Sequence, residues 1–261
     1  MINMNRLQEL LRTRRIGRSI VFSDTVASTN DLAKELAALG AMDGTVVLAE
    51  TQTHGRGRLC REWISPAGGL WLSTILKPKL EPSHACKLVF VAGLAVANTL
   101  HELYDLAVAT KWPNDVLANG KKICGILAEM NTRGRRLNYV VLGIGINANF
   151  EVKVFPEALW ESATTLQKEL GGKVNLERLL RVLLEKLEST YDLFTSQGFP
   201  AVMDEWKSFA CFLGRHVEVM NTNEEFDGLA LDVDGDGSLI LRLEDGSMRR
   251  VLVGDVSVRV G

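Results

Sequence analysis

Between about Ala85 and Leu103 the chain carries alanine, leucine and valine nearly all the way round a helical wheel, behind the pair Pro82-Ser83. A helix that is apolar on every side has no face to show to water, so it must lie inside the protein against a larger apolar surface. That surface is expected from segments with strand character at Ser19–Phe22, Thr45–Glu50, Leu70–Leu76, Ala107–Lys111, Ile123–Met130 and Asn138–Ile146. The turn Ala118-Asn119-Gly120-Lys121, between the strand segments Ala107–Lys111 and Ile123–Met130, holds the Asn-Gly dipeptide favoured in tight hairpins. A second long helix is predicted over Leu176–Phe194 with Asn175 as its N-cap. A short amphipathic helix is predicted over Leu32–Ala37, behind the cap candidates Ser28-Thr29-Asn30-Asp31 and with Gly40 past its end. Residues from about Asn5 to Ile16 are basic and weakly helical. The pattern is α+β, with helices packed on a sheet.

From Gly214 the texture changes. His216–Met220, Gly228–Val233, Leu239–Leu243, Arg249–Val253 and Val256–Val260 are short strand-like segments separated by glycine and acidic turns. They predict a small all-β barrel or sandwich. We divide the chain into domains at 1–212 and 213–261. Asp232-Val233-Asp234-Gly235-Asp236-Gly237 starts like an EF-hand loop, but its twelfth position is Leu243, where a bidentate Glu is required. It is read as a hairpin turn.

Thirty basic residues nearly balance thirty-two acidic ones, which argues against non-specific DNA binding by a globally basic surface. Cys60, Cys86, Cys124 and Cys211 form no C-x-x-C pair and no signal peptide is evident, so reduced thiols in the cytoplasm are expected. His54, His84, His101 and His216 show no metal-ligand spacing, and Ser83-His84 has no further sign of a triad. No uninterrupted apolar run is long enough to suggest a membrane span.

The chemistry-bearing features lie between the strands. His54-Gly55-Arg56-Gly57-Arg58 alternates glycines, which let backbone N–H groups approach an anion, with arginines that stay charged and bind phosphate or carboxylate in a fork. It is neither a Walker loop nor a dinucleotide fingerprint. A solvated turn with incidental charge is the alternative. Trp63 is either core or a stacking face on a lid-like loop, and Trp71 reads as wall or core. Lys111-Trp112-Pro113-Asn114-Asp115 is either a rigid turn with a packed Trp or a nucleotide- and Mg²⁺-facing element. Lys122 either snorkels to water or meets a developing negative charge. Gly143-Ile144-Gly145-Ile146-Asn147 ends a strand in glycines that permit close ligand approach or plain packing.

Taken in order, Ser28-Thr29-Asn30, Gln52 before Gly55-Arg56-Gly57-Arg58, Trp63 with Ser65-Pro66, the Lys111–Asp115 run, Lys122 with Gly125, and the run from Gly143 to Asn147 make the sequence resemble the biotin protein ligases over essentially its whole length. The resemblance implies a mixed sheet packed with helices plus a C-terminal SH3-like β-barrel. It implies ATP and Mg²⁺ as cofactors, with biotin as the substrate. A biotin carboxyl carrier protein would be the partner, and the chain a cytoplasmic homodimer. Ser28, Thr29, Asn30, Gln52, Gly55, Arg56, Gly57, Arg58, Lys122 and Gly125 would bind biotin. Arg56, Arg58, Arg61, Trp63, Lys111, Asn114, Asp115, Lys122 and Asn147 would bind ATP or the adenylate, and Arg58, Lys122 and Asp115 would be catalytic. No resident metal site is expected.

Two departures stand out. Longer bacterial members carry an N-terminal winged helix-turn-helix, whereas only a short segment precedes Ser28, so we expect a ligase without the repressor function and no DNA partner, or a chain trimmed of that domain. Leu59-Cys60 replace the Arg-Gly found in some members, which leaves the loop less basic and is expected to alter how long it retains the adenylate. The rival readings are a lipoate–protein ligase of the same fold and a non-catalytic carrier-binding module.

Overall fold

The computed structural model describes residues 2–220, 225–252 and 254–258. The chain runs through α1 (Met4–Leu10), β1 (Ile20–Val26), α2 (Thr29–Ala38), β2 (Val46–Gln52), β3 (Leu70–Leu76), α3 (Leu88–Tyr104), β4 (Val108–Lys111), β5 (Asp115–Ala118), β6 (Lys121–Arg133) and β7 (Arg136–Ile146). It continues through α4 (Leu166–Leu170), α5 (Leu176–Gln197), α6 (Phe199–Ser208), β8 (His216–Met220), β9 (Glu225–Val233), β10 (Leu239–Arg242), β11 (Met248–Val251) and β12 (Asp255–Val258). The first seven strands form one sheet in the order β1-β2-β3-β7-β6-β5-β4; the last five form another in the order β11-β10-β9-β8-β12. The large sheet is mixed, because β1 and β2 are parallel and every other pair is antiparallel. The small sheet is wholly antiparallel, in keeping with an SH3-like barrel.

Side chains alternate between the faces of a strand. Val46, Leu48, Leu70, Leu72, Val140, Leu142 and Ile144 therefore turn to the face covered by α3, α5 and α6, where they join the main core. Val47, Ile75, Tyr139 and Val141 turn to the other face and meet Ala33 and Ala37 of α2. On that second face β3 and β7 also carry Trp71, Ser73, Gly143 and Gly145. Among the described residues, Pro82–Tyr104 is the one helical stretch long and apolar enough to cross a bilayer, and most of it is buried against the sheet, α5 and α6.

Several local details differ from the sequence expectation. The Asn119-Gly120 turn, with φ of 49° and 78°, joins β5 to β6 rather than β4 to β6. The strand β5 is too short to announce itself beside a Pro-Asn turn, and it forms because β4 offers it a free edge. Helix α1 ends at Leu10, and the next turns are held instead by the buried Glu188 of α5, whose carboxylate accepts from the backbone N–H groups of Arg14, Arg15 and Ile16 at 2.6–2.8 Å. The helices α4 and α6 were not expected. Val253, Arg259 and Val260, which the sequence places in strands, lie outside the described residues. The hairpin turn read at Asp232–Gly237 does form between β9 and β10, where Asp234 accepts from the N–H groups of Asp236 and Ser238 and pairs with Arg250.

The small sheet is tied to the large one at Trp112. That indole is buried and its Nε1–H donates to the Gly237 carbonyl at 2.9 Å, while Lys207 pairs with Asp232 at 2.6 Å. Trp112→Phe keeps most of the apolar volume but orphans the Gly237 oxygen. It is expected to lower stability by about 1–3 kcal/mol, read as an earlier midpoint in urea unfolding.

Candidate functional site

Three glycines make room for the site. Register aligns Trp71, Gly145, Gly125 and Asp115 in one row across β3, β7, β6 and β5, and aligns Ser73, Gly143 and Leu127 in the next. A methyl group at Gly143 would stand 2.3 Å from Asn30 Oδ1, and one at Gly145 would stand 2.5 Å from the Trp63 indole nitrogen. The strands carry glycine here because other side chains occupy the space a Cβ would need.

At one end of this floor lies a buried polar cluster. Thr29 and Asn30 open α2, where Ser28 sits at the N-cap in extended conformation and makes no side-chain cap bond. The Thr29 N–H and hydroxyl both donate to Gln52 Oε1, at 2.8 and 3.0 Å, and Gln52 Nε2 donates to Ser65 Oγ at 2.8 Å. Ser73, fully buried, lies 2.7 Å from Thr29 Oγ1 and 2.6 Å from Asn30 Oδ1, so one hydroxyl hydrogen serves two acceptors. Ser73 was not singled out from the sequence. Its signal was a hydroxyl in the middle of the apolar run Leu70–Leu76.

At the other end lies a charged cluster. The loop after β2 is a closed hairpin-like excursion, with bridges Gln52–Ser65 and Arg56–Glu62 and a 3₁₀ turn at Arg58–Cys60. Its tip brings Arg58 to Asn114 Oδ1 at 3.1 Å and to the Gly254 carbonyl at 3.2 Å, with Asp255 at 3.7 Å. Arg61 pairs with the same Asp255 at 2.5 Å, and Lys122 pairs with Asp115 at 2.8 Å. Burial presses the Arg58 guanidinium below its ordinary range while Asp255 and Asp115 pull it back up, and it remains a cation at neutral pH. Asp255, supplied by the small sheet, was also missed, because nothing local in Gly254-Asp255-Val256 marks a role at a distant loop.

Trp63 links the two clusters. Its ring lies on Gly125 and Gly145, edge-on to Trp71 at 6.4 Å between centroids, and the Lys122 ammonium stands 5.2 Å from its centre. Its backbone carbonyl accepts from Ser65. It is neither plain core nor free lid.

The remaining expected residues are placed differently from one another. Gly55 is packed against the Trp63 carbonyl and Ser65, and the Gly57 N–H donates to Arg61 O at 2.7 Å, so both shape the loop. Lys111 stands opposite Asp115 at the end of β4 and makes no ion pair among the described residues. Asn147 is buried: its Nδ2 donates to Thr164 O, its N–H to Ile123 O, and its carbonyl accepts from Leu166. That links β7 to the segment behind Lys122, whose own backbone bonds Ser162 and Thr164. In this structure Asn147 therefore braces Lys122. Arg56 does not join Arg58. Its guanidinium turns to Asp31 at 2.7 Å and Glu129 at 3.2 Å, two carboxylates that also hold Lys34 at 2.9 Å each. The expected convergence of cations is met by Arg58, Arg61 and Lys122, while two acids hold Arg56 at the polar end.

A glycine floor that seats a flat Trp63 ring, a neutral polar cluster at one end and three cations at the other suit a molecule with an amide-like head and an anionic tail beside a phosphate. Residues 22–147 match the model of the Biotin/lipoate A/B protein ligase family, and residues 212–259 match the Biotin protein ligase C terminal domain. The chain is 35% identical over 249 residues to the bifunctional ligase/repressor BirA of Bacillus subtilis, covering 95% of this chain and 76% of that protein. It is 36% identical over 220 residues to the biotin–[acetyl-CoA-carboxylase] ligase of Paracoccus denitrificans, covering 82% of this chain and 90% of that one. The solved biotin protein ligase of Aquifex aeolicus in complex with biotin and ATP superposes with a TM-score of 0.80 at 30% identity, covering 94% of this chain and all of that one. On the strength of these matches and of the geometry, the chain belongs to the biotin protein ligase family.

Proposed function

We propose that biotin's ureido head lies in the Thr29–Asn30–Gln52–Ser73 cluster, its chain runs beside the Trp63 ring that the glycine floor seats, and its carboxylate meets ATP beside Arg58, Arg61 and Lys122. The chain is an ATP-dependent biotin ligase. The observation that carries the reading of the site is the glycine floor beneath Trp63 and Asn30, with a neutral polar cluster at one end and a cation cluster at the other. A ureido group offers two N–H donors and one strong acceptor. It therefore suits a cluster of carboxamide and hydroxyl groups in which one hydroxyl hydrogen already serves two oxygens. Relatives of this chain are named for biotin, which favours it over lipoate.

In the first step a carboxylate oxygen of biotin attacks the α-phosphorus of ATP, and the bond from that phosphorus to the β-phosphate oxygen breaks, releasing pyrophosphate. The barrier is the approach of one anion to a polyanion. Arg58, Arg61 and Lys122 offset it as charges already in place before the reaction. The acids that pair with them before the ligand arrives, Asp115 and Asp255, hold them oriented. In the second step the ε-amine of a carrier-protein lysine attacks the acyl carbon, the bond to AMP breaks, and a proton leaves the nitrogen. Asp115 is the carboxylate paired with Lys122, and we assign it the role of general base that accepts the proton leaving the incoming amine. Magnesium entering with ATP keeps most of its water and needs one or two carboxylates. Asp115, whose buried Oδ1 has Lys122 as its partner at 2.8 Å, fits that role, and the ion would neutralise charge on the phosphates. We read the acceptor as the biotin carboxyl carrier protein of a carboxylase. We also read the chain as a cytoplasmic homodimer pairing through a sheet edge, with no DNA partner. The edge strand β1, the free cysteines among the described residues and the near balance of charge support that reading.

Arg58→Ala and Lys122→Ala should each slow biotin-dependent pyrophosphate release by about a hundredfold. Circular dichroism should show the fold retained, and full activity in both would remove the cation cluster from the mechanism. Gly143→Ala pushes a methyl group into the Asn30 carboxamide. It should weaken biotin binding about tenfold or more with little change in ATP affinity, measured by calorimetry. Asp115→Asn should slow transfer from preformed biotinyl-adenylate to the carrier; an unaltered single-turnover transfer rate would remove Asp115 from the second step.

A further inference from the structure

Glu129 sits in the middle of β6, two and four residues beyond Leu127 and Gly125, and so on the same face of the sheet as the glycine floor. Its carboxylate gathers three partners from two separate elements. The Asn30 Nδ2–H group donates to Oε2 at 2.7 Å, Lys34 donates to Oε1 at 2.9 Å, and Arg56 reaches both oxygens at 3.2–3.3 Å. Asn30 and Lys34 belong to α2, and Arg56 to the loop that covers the site. None of these contacts belongs to the cation cluster around Arg58.

The contacts have two consequences. A carboxamide can be flipped end for end, and its useful face depends on which end is pinned. With Nδ2 committed to Glu129, Asn30 must present Oδ1 to Ser73 and to the pocket. The second consequence concerns the loop. Arg56 and Glu62 bridge its two sides, and the Arg56 guanidinium is its anchor to the Asp31–Glu129 pair. Burial pushes the Glu129 carboxyl up, but the Asn30 amide, Lys34 and Arg56 hold it below the usual carboxylate range, so it is an anion whenever the enzyme works.

We propose that Glu129 is a positioning residue that couples the biotin pocket to the covering loop, orienting the Asn30 carboxamide through one contact and clasping Arg56 through the other. This rests on the reading that Asn30 lines the biotin pocket. Two substitutions separate the two contacts. Glu129→Ala removes both, and is expected to weaken biotin binding by about tenfold or more. Glu129→Gln keeps an acceptor for Asn30 but loses one of the two charges that hold Arg56, leaving Asp31 alone. It is expected to recover biotin affinity to within about threefold of the parent, yet to release biotinyl-adenylate several times faster in the absence of carrier protein. Biotin affinity is read by calorimetry on the full chain, adenylate escape by the rate of labelled biotinyl-AMP loss after gel filtration, and folding by the thermal midpoint.

The coupling is overturned if Glu129→Ala binds biotin within about twofold of the parent, or if the Gln variant binds as weakly as the Ala variant. An unchanged escape rate in Glu129→Gln overturns the clasp. Asn30→Ala is the control. If it too binds biotin normally, the pocket reading itself is lost; if it binds weakly while Glu129→Ala does not, the loss is confined to the role of Glu129.

Discussion

Everything at the site depends on backbone left bare where β3, β7 and β6 run side by side. A sheet buried on both faces normally fills each position with a branched side chain. Here Gly125, Gly143 and Gly145 leave a trough one side chain deep, and Trp63 and Asn30 descend into it until a methyl group would collide with them. The trough fixes the height at which the pocket residues sit over the sheet. It also explains why the covering loop lies where it does: the ring of Trp63 rests on two glycines, and the loop backbone is carried with it.

The electrostatics follow from the chemistry of joining two anions. A cluster of three cations alone would repel itself, and the protein balances it with acids held at hydrogen-bond distance: Asp115 with Lys122, and Asp255 with Arg58 and Arg61. The balance is cheap to undo, because partly exposed ion pairs contribute little to stability. A phosphate can take the place of an acid without unfolding anything. Asp255 belongs to the small sheet, so that sheet supplies the acid that holds two of the three cations.

Much of the architecture was legible in advance, and for stated reasons. The all-apolar helix α3, the Asn175 cap of α5 and the Asn-Gly turn are local signals, and each was found where its local chemistry put it. The short strand β5 and the helices α4 and α6 were missed. Two of them span only four or five residues, and their existence depends on an open sheet edge or a packing surface that no window of sequence contains. The candidate residues divide in the same way. Thr29, Asn30 and Gln52 meet at one end of the glycine floor, and Arg58, Asn114, Asp115 and Lys122 at the other; Arg56 turns aside, and Asn147 works from behind the strand as a brace.

Residue type and spacing alone established the cations, the glycines and the order in which they occur, because charge and the lack of a side chain belong to the residue wherever it is placed. Which cation meets which acid was settled by strand register and by the docking of the small sheet. Arg56 and Arg58 lie two residues apart in the chain, yet one closes on Glu129 and the other on Asn114 and Asp255. Partners of that kind are brought near by folding across 56 residues or more, and a side chain pairs with whatever charge the fold sets within its reach.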